Sequence, residues 1–303
     1  MRAFLTGATG FVGGYLARHL EGCGDAVSGL AAGIDVRDGA QLEAALVAAA
    51  PDVVYHLAAL THVGRSWEAP AETFSVNALG TLALLEAARR LETPPAVVLV
   101  SSAEVYGSGD GRPLRESSPL VPVSPYAASK VAAEFLGVQA AAGRGLRVVR
   151  ARPFNHVGPG QSDAFVVAAL ARRIAEAELA GGGVVRVGNL TPQRDVTDVR
   201  DVVRAYRLLA EHGVAGEVYN VCTGRTFAIS ELLDRLVGLA RCPIEVTFDP
   251  ELARPVDVPV LLGDATQLAR RTGWSPEIGL DETLADVLEH WRAEVTAGRS
   301  SGA

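Results

Sequence analysis

Lysine is almost missing from this 303-residue chain: of its 28 basic side chains, Lys130 alone is a lysine and the rest are arginine. Other scarcities bound what the chain can be. Three cysteines, Cys23, Cys222 and Cys242, are an odd number without a C-x-x-C pair. That argues against a disulfide-stapled scaffold and for reduced thiols in a cytoplasmic protein. Six histidines occur with no H-E-x-x-H or similar ligand spacing, so no metal site is expected. No apolar run reaches the roughly 18 residues of a membrane span. The opening "RAFLTG" reads as a strand and a turn, from which we expect no secretory leader. A net charge of −7 does not suit a surface for polyanions, so nucleic acid is not an expected partner. A local arginine pocket for a small phosphorylated ligand is compatible with that charge.

What the chain has in quantity is apolar surface, 49% of residues, against 21% charged. This suffices for a large core and argues against disorder of the chain as a whole. Short β-rich runs alternate with alanine- and leucine-rich helical patterns. "RAFLT", "DAVSGL", "DVVYHLAA", "PAVVLVSS" and "LRVVRARP" read as strands. "FVGGYLARHL", "DGAQLEAALVAAA", a long stretch from about 71 to 91, and "SPYAASKVAAEFLGVQAAA" read as helices. The alternation indicates βαβ units: an α/β fold with a Rossmann-type, doubly wound parallel sheet. After Pro153 it loosens into a smaller C-terminal α/β lobe of interrupted segments. We expect the sheet domain over 1–155, with about 197–220 returning to it. The lobe then spans 156–196 and 221–297, and 298–303 form a disordered tail.

"TGATGFVGG" sets Gly7, Gly10 and Gly13 between the first strand and its helix. Glycines there permit the tight turn, let backbone N–H groups approach a pyrophosphate and let helix and strand pack closely. The acid expected about 20 residues further on, for a ribose, has no clear counterpart: Leu30 and Ala31 stand at the second strand's end. Asp35 is the nearest candidate, and its "DVRD" segment could instead face an adenine, so NAD and NADP both remain open.

Tyr126 and Lys130 stand at i and i+4 on one face of a helix. A phenol with a pKa near 10 relays protons poorly at neutral pH. A nearby cation favours the phenolate and lowers that value. Lysine does so as a compact charge with three donors that can also hold ribose hydroxyls, where a guanidinium would not fit. Ser101 and Ser102 end the "VVLVSS" strand, where a hydroxyl could bond a substrate oxygen.

The glycine turn, "DVVYHLAA", "SSAEVYG", "SPYAASK" and "RARPFNHVGPG" resemble, in order and spacing, the extended short-chain dehydrogenase/reductases that act on nucleotide-sugars. The resemblance covers nearly the whole chain. It implies an NAD(P)-binding Rossmann domain, a nucleotide-sugar lobe, and Ser102, Tyr126 and Lys130 as the catalytic triad. By it the cofactor contacts are Gly7, Thr9, Gly10, Phe11, Val12, Gly13, Asp35, Val36, Leu57, Ala58, Ala59, Asn77 and Ser101, with Tyr126 and Lys130. Substrate contacts are Thr61, Glu104, Asn155, Asn189, Arg194 and Arg254, the two arginines clamping a diphosphate if they are not surface ion pairs. "RPFNHVGPGQSDAFVV", "RDVTDVRDVVRAY" and "RPVDVPVLLGD" look most like the GDP-4-keto-6-deoxy-D-mannose reductases, with GDP-mannose 4,6-dehydratases and 4-epimerases as alternatives. Glu104 would orient substrate, act as a dehydratase-type base, or hold its loop; His156 reads as structural. A homodimer built on helices including 125–142, or a tetramer, is the expected assembly.

Overall fold

The computed structural model describes residues 1–109, 111–252 and 258–300. The first half alternates strands and helices: β1 (Arg2–Thr6), α1 (Phe11–Gly22), β2 (Ala26–Gly29), α2 (Gly39–Ala49), β3 (Val53–His56), α3 (Val63–Glu68), α4 (Pro70–Phe74), α5 (Gly80–Arg89), β4 (Ala96–Val100), α6 (Pro125–Arg144) and β5 (Val148–Pro153). There follow β6 (Asn155–Val157), α7 (Val166–Leu179), β7 (Gly183–Val187), β8 (Gln193–Asp198), α8 (Val199–His212), β9 (Val218–Val221), β10 (Thr226–Ala228), α9 (Ile229–Gly238), β11 (Ile244–Phe248), β12 (Val260–Leu261), α10 (Thr266–Thr272) and α11 (Leu280–Ser300).

Six strands form one parallel sheet in the order β2-β1-β3-β4-β5-β9. The central strands are continuous Val/Leu/Tyr runs because both their faces are covered. On one face α1 and α8 bury Leu16, Leu20, Tyr206 and Leu209 against Tyr55, Val98 and Val149. On the other, α2, α5 and α6 bury Leu42, Leu46, Leu84 and Ala140 against Phe4, Val54, Val97 and Leu99. Because α8 packs on α1 and β9 is the sixth strand, the chain re-enters this sheet after β8.

A second layer surrounds β8, which pairs with β6 and β12 in parallel and with β10 antiparallel, beside a parallel β7–β11 ribbon. Helices α7, α9 and α11 close it over Leu170, Ile174, Val185, Leu232, Leu236 and Leu288. The chain passes between the layers at Pro153–Asn155 and at Asp198–Val199.

Two departures from the sequence reading have local causes. The helical stretch expected over about 71–91 is interrupted by a π-type turn at Ser75–Leu79. There the side chain of Asn77 takes the Leu60 N–H at 2.8 Å and donates to the Leu60 carbonyl and the Ser129 hydroxyl, so the helix yields a residue to grip the β3–α3 loop. The C-terminal helix runs on to Ser300, so the tail expected from 298 is helical for its first three residues and lies outside the described residues after that.

Asp195 ties the second layer together. Fully buried in β8, its carboxylate accepts from the Thr223 N–H and hydroxyl at 2.8 and 2.7 Å, the Gly224 N–H at 2.8 Å and the Gly263 N–H at 3.4 Å. Removing it strands several donors without water. Asp195→Ala is expected to cost about 3 kcal/mol or more of unfolding free energy in a denaturant titration, and a loss below about 1 kcal/mol would contradict this role.

Candidate active site

The glycine turn is built for a ligand backbone rather than for side chains. Gly7 has φ +74°, and a Cβ there would sit 2.8 Å from the Ala58 nitrogen; at Gly13 it would sit 2.1 Å from the Gly7 carbonyl oxygen. These contacts press α1 onto the turn. Gly10 caps α1 without a side chain, and the first turn carries no acid, so the helix N-terminus presents its N–H groups and positive dipole end to the space in front of it. The cradle fits a dinucleotide pyrophosphate. Leu57, Ala58 and Ala59 continue the wall from β3. His56 braces it from behind. The Thr81 hydroxyl donates to the Asn77 carbonyl, so His56 Nε2 donates to Thr81 and Nδ1 accepts from Thr6, which in turn accepts from the Ala58 N–H. Burial and Lys130 hold His56 down at about 3, neutral.

These residues form one side of a cavity of about 760 Å³ between the two layers, lined also by Thr9, Gly10, Phe11, Val12 and Gly13. Ser102, Glu104, Tyr126 and Lys130 line it as well. The α6 N-terminus is set by Ser124, whose hydroxyl accepts from the Ala127 N–H, with Pro125 at the first position. That fixes Tyr126 and Lys130 one turn apart, both facing the end of β4. Lys130 Nζ donates to the Val100 carbonyl at 2.9 Å, and burial lowers its pKa to about 8. Tyr126 is pushed up to about 12, chiefly by burial, with a hydrogen bond to Ser102 working downward and the charge of Glu104 upward. The expectation that Lys130 lowers the tyrosine is therefore corrected: the ammonium is directed at a backbone carbonyl, and desolvation governs the phenol.

Ser101, expected to contact the cofactor, lines the cavity, but its hydroxyl donates to Glu134. Asp35 and Val36 are not among the lining residues. Asp35 is exposed and engaged by the Arg37 guanidinium, which holds its carboxyl at about 2, while Val36 is core, against Gly80. Asn77 is likewise absent from the lining and works in the π turn. These three side chains are committed to local contacts that their spacing did not reveal.

Thr61, from the β3–α3 loop, and Asn155, Asn189 and Arg194, from the second layer, line the same cavity. Arg194 also braces the wall by donating to the Val258 carbonyl at 2.7 Å, and Asn189 accepts from Thr191. Arg254 lies outside the described residues. His156 stacks parallel on Phe11, 6.3 Å between centroids, and burial lowers its pKa, so it bridges the layers as a neutral ring. The sequence reading missed Trp67, Phe165 and Arg173, which also line the cavity. Arg173 follows Arg172 on α7; Arg172 pairs with Asp163 and Glu176 at the surface, and only the helical rotation between the two separates their fates.

The buried lysine makes stability pH-dependent. Between pH 8 and the ordinary 10.5 the unfolded chain holds a proton that the folded one has released, so this group's penalty on folding is full below pH 8 and relieved as pH rises. Compared with Lys130→Met, the wild type is expected to gain on the order of 3 kcal/mol of relative stability from pH 7 to 10.5 in denaturant titrations. A pH-independent difference between the two would refute it.

A family profile described as GDP-mannose 4,6 dehydratase matches residues 31–287. GDP-6-deoxy-D-mannose reductase of Pseudomonas aeruginosa is 38% identical over 299 residues, covering 97% of this chain and 98% of the relative. The solved structure of RMD from Pseudomonas aeruginosa complexed with NADPH superposes with a TM-score of 0.90 at 36% identity, over 97% of this chain and 100% of that one. UDP-glucose 4-epimerase of Thermus thermophilus in complex with NAD superposes with a TM-score of 0.86 at 32% identity, over 96% and 99%. On this evidence, joined to the Tyr126–Lys130 centre and the glycine cradle, the chain belongs to the GDP-mannose 4,6 dehydratase family, within the extended short-chain dehydrogenase/reductases.

Proposed function

We propose that the protein reduces the C4 keto group of a GDP-4-keto-6-deoxyhexose with NADPH or NADH, giving a GDP-6-deoxyhexose such as GDP-D-rhamnose. The observation that carries this reading is that Ser102, Tyr126 and Lys130 line one cavity together with the glycine cradle and Arg194 of the second layer. The 38% identity to a GDP-6-deoxy-D-mannose reductase and the match to an NADPH complex support the substrate and the cofactor.

When bound, the reduced nicotinamide supplies the hydride. The chain's own residues do the rest. Tyr126, pushed up to about 12, stands protonated at neutral pH, the state needed to donate to the C4 oxygen as it gains charge. Ser102 aligns that hydroxyl and bonds the same oxygen. Lys130 sits one turn on, its ammonium held at the Val100 carbonyl, to hold the nicotinamide ribose. Arg194, with Arg254 from outside the described residues, would clamp the diphosphate, beside Asn155 and Asn189; Thr61 and Glu104 would touch the sugar. The cofactor half is then 1–155 with the returning segment near 197–220, and the remainder is the substrate lobe.

A second reading, GDP-mannose 4,6-dehydratase, is favoured by one feature: Glu104 lines the same cavity and acts on Tyr126, where a base for C5 would be needed. We place the activity in the cytoplasm, consistent with three unpaired cysteines. Among the described residues no helix is long and apolar enough to cross a membrane. A homodimer is supported by Phe74, Leu79, Leu82 and Phe135, exposed large side chains on α4, the π turn, α5 and α6, which pack on one another.

Purified protein mixed with GDP-4-keto-6-deoxymannose and NADPH or NADH should consume reduced cofactor in a 1:1 ratio to product, followed by absorbance. Lys130→Arg should stay folded by circular dichroism and lose roughly 100-fold or more of that rate. No consumption, with GDP-mannose converted to a keto sugar without added reductant, would instead establish the dehydratase.

A further inference from the structure

Behind the site lies a charged cluster that does not line the cavity. Glu134 is on α6, one turn beyond Lys130 and fully buried. Its Oε1 accepts from the Ser101 hydroxyl at 2.5 Å and from Arg152 Nε at 2.8 Å. Its Oε2 accepts from Arg152 Nη2 at 2.7 Å and Arg150 Nη1 at 3.3 Å. Arg152 is itself fixed by the Tyr106 hydroxyl and the Glu116 carbonyl, at 2.8 and 3.1 Å. A buried carboxylate held by two guanidinium groups is costly to assemble and is weak evidence of stabilisation, so its presence asks for another explanation.

The geometry gives one. Helix α6 holds two consecutive residues at the end of β4: Lys130 donates to the Val100 carbonyl, and Glu134 accepts from Ser101. The next residue is Ser102, the hydrogen-bond partner of Tyr126 on the same helix. We infer that Glu134 is a positioning residue for the proposed reduction: it fixes Ser101, and so Ser102, in register with Tyr126, and it provides the counter-charge to Lys130 from one helical turn away.

The surroundings of Lys130 leave this task to Glu134. From β3 it is faced by His56, which is neutral. From its own helix it is faced by Tyr126, protonated one turn before, and by Glu134, one turn after, whose charge raises its proton affinity against the burial. Glu104, from the turn after β4, acts on Tyr126. Around Glu134 the facing groups are Arg150 and Arg152 of β5 and Ser101 just past β4. Among these groups, Ser101 and Lys130 link Glu134 to the site.

The inference rests on the proposed reductase reading, yet half of its test needs no substrate. Because Lys130 is the only lysine, protein labelled with ¹³C-lysine shows one side-chain Cε signal whose pH titration reports this ammonium directly. In Glu134→Gln the midpoint is expected about one pH unit below wild type, while in Ser101→Ala it stays within about 0.3 unit. With keto sugar and NADPH, Ser101→Ala is expected to lose roughly 10-fold in kcat with KM within about 2-fold, the split that marks a positional defect. An unshifted lysine midpoint in Glu134→Gln, or wild-type kcat in Ser101→Ala, overturns the inference. Should Glu134→Gln not fold, Ser101→Ala decides alone. A wild type without turnover would defeat the reductase reading and leave the titration to judge the charge coupling.

Discussion

Everything at this site depends on keeping one ammonium inside the protein. Lys130 is 6% exposed, so it holds charge only as far as nearby partners make good its lost hydration. The Val100 carbonyl does so by direct contact and Glu134 at longer range. Both requirements fix where α6 lies relative to β4, and that placement sets Tyr126 against Ser102. The scarcity of lysine elsewhere is intelligible in these terms. Surface positive charge here is carried by arginine in ion pairs such as Arg172 with Glu176, whereas the buried position needs a cation small enough to fit beside a tyrosine and under a carbonyl.

The two layers meet where the chemistry would occur because the chain crosses between them there. Strand β5 ends at Pro153, and two residues later Asn155 begins β6 in the second layer. Strand β8 carries Arg194 on the cavity side, and Asp195 beside it ties the turn at Thr223 and Gly224 and the backbone at Gly263. The chain then returns to the main sheet through α8. Phe11 stacked on His156, and the Tyr15 hydroxyl donating to the Pro159 carbonyl at 2.8 Å, bind the glycine-turn helix to the loop of the other layer. Cradle and lobe are thus braced against each other across the cavity they share.

Much of this was legible in the chain. The sheet follows from Val/Leu-rich strands bounded by glycine turns, the cradle from Gly7, Gly10 and Gly13, and the Tyr126–Lys130 face from helical spacing alone. These features rest on local chemistry that a short window contains. What the sequence concealed depends on distant partners. Nothing in the local spacing announces that Arg37 engages Asp35 or that Asn77 grips the loop at Leu60. Ser101 reads as a donor to a bound molecule until Glu134, 33 positions away, is found to accept from it. The direction of the tyrosine shift was hidden for the same reason, since desolvation belongs to the whole packed site and spacing reports only the neighbouring cation. The substrate, in turn, rests on whole-chain similarity together with the cavity, and no single motif carries it.

The central claim is that this centre delivers hydride to one carbon and a proton to its oxygen. The most direct measurement supplies NADPH deuterated at the transferable position with GDP-4-keto-6-deoxymannose and examines the product by NMR and mass spectrometry. The account predicts one deuterium per product molecule, located at C4 of the sugar. Product carrying no cofactor-derived deuterium at C4, or unaltered keto sugar, would contradict it.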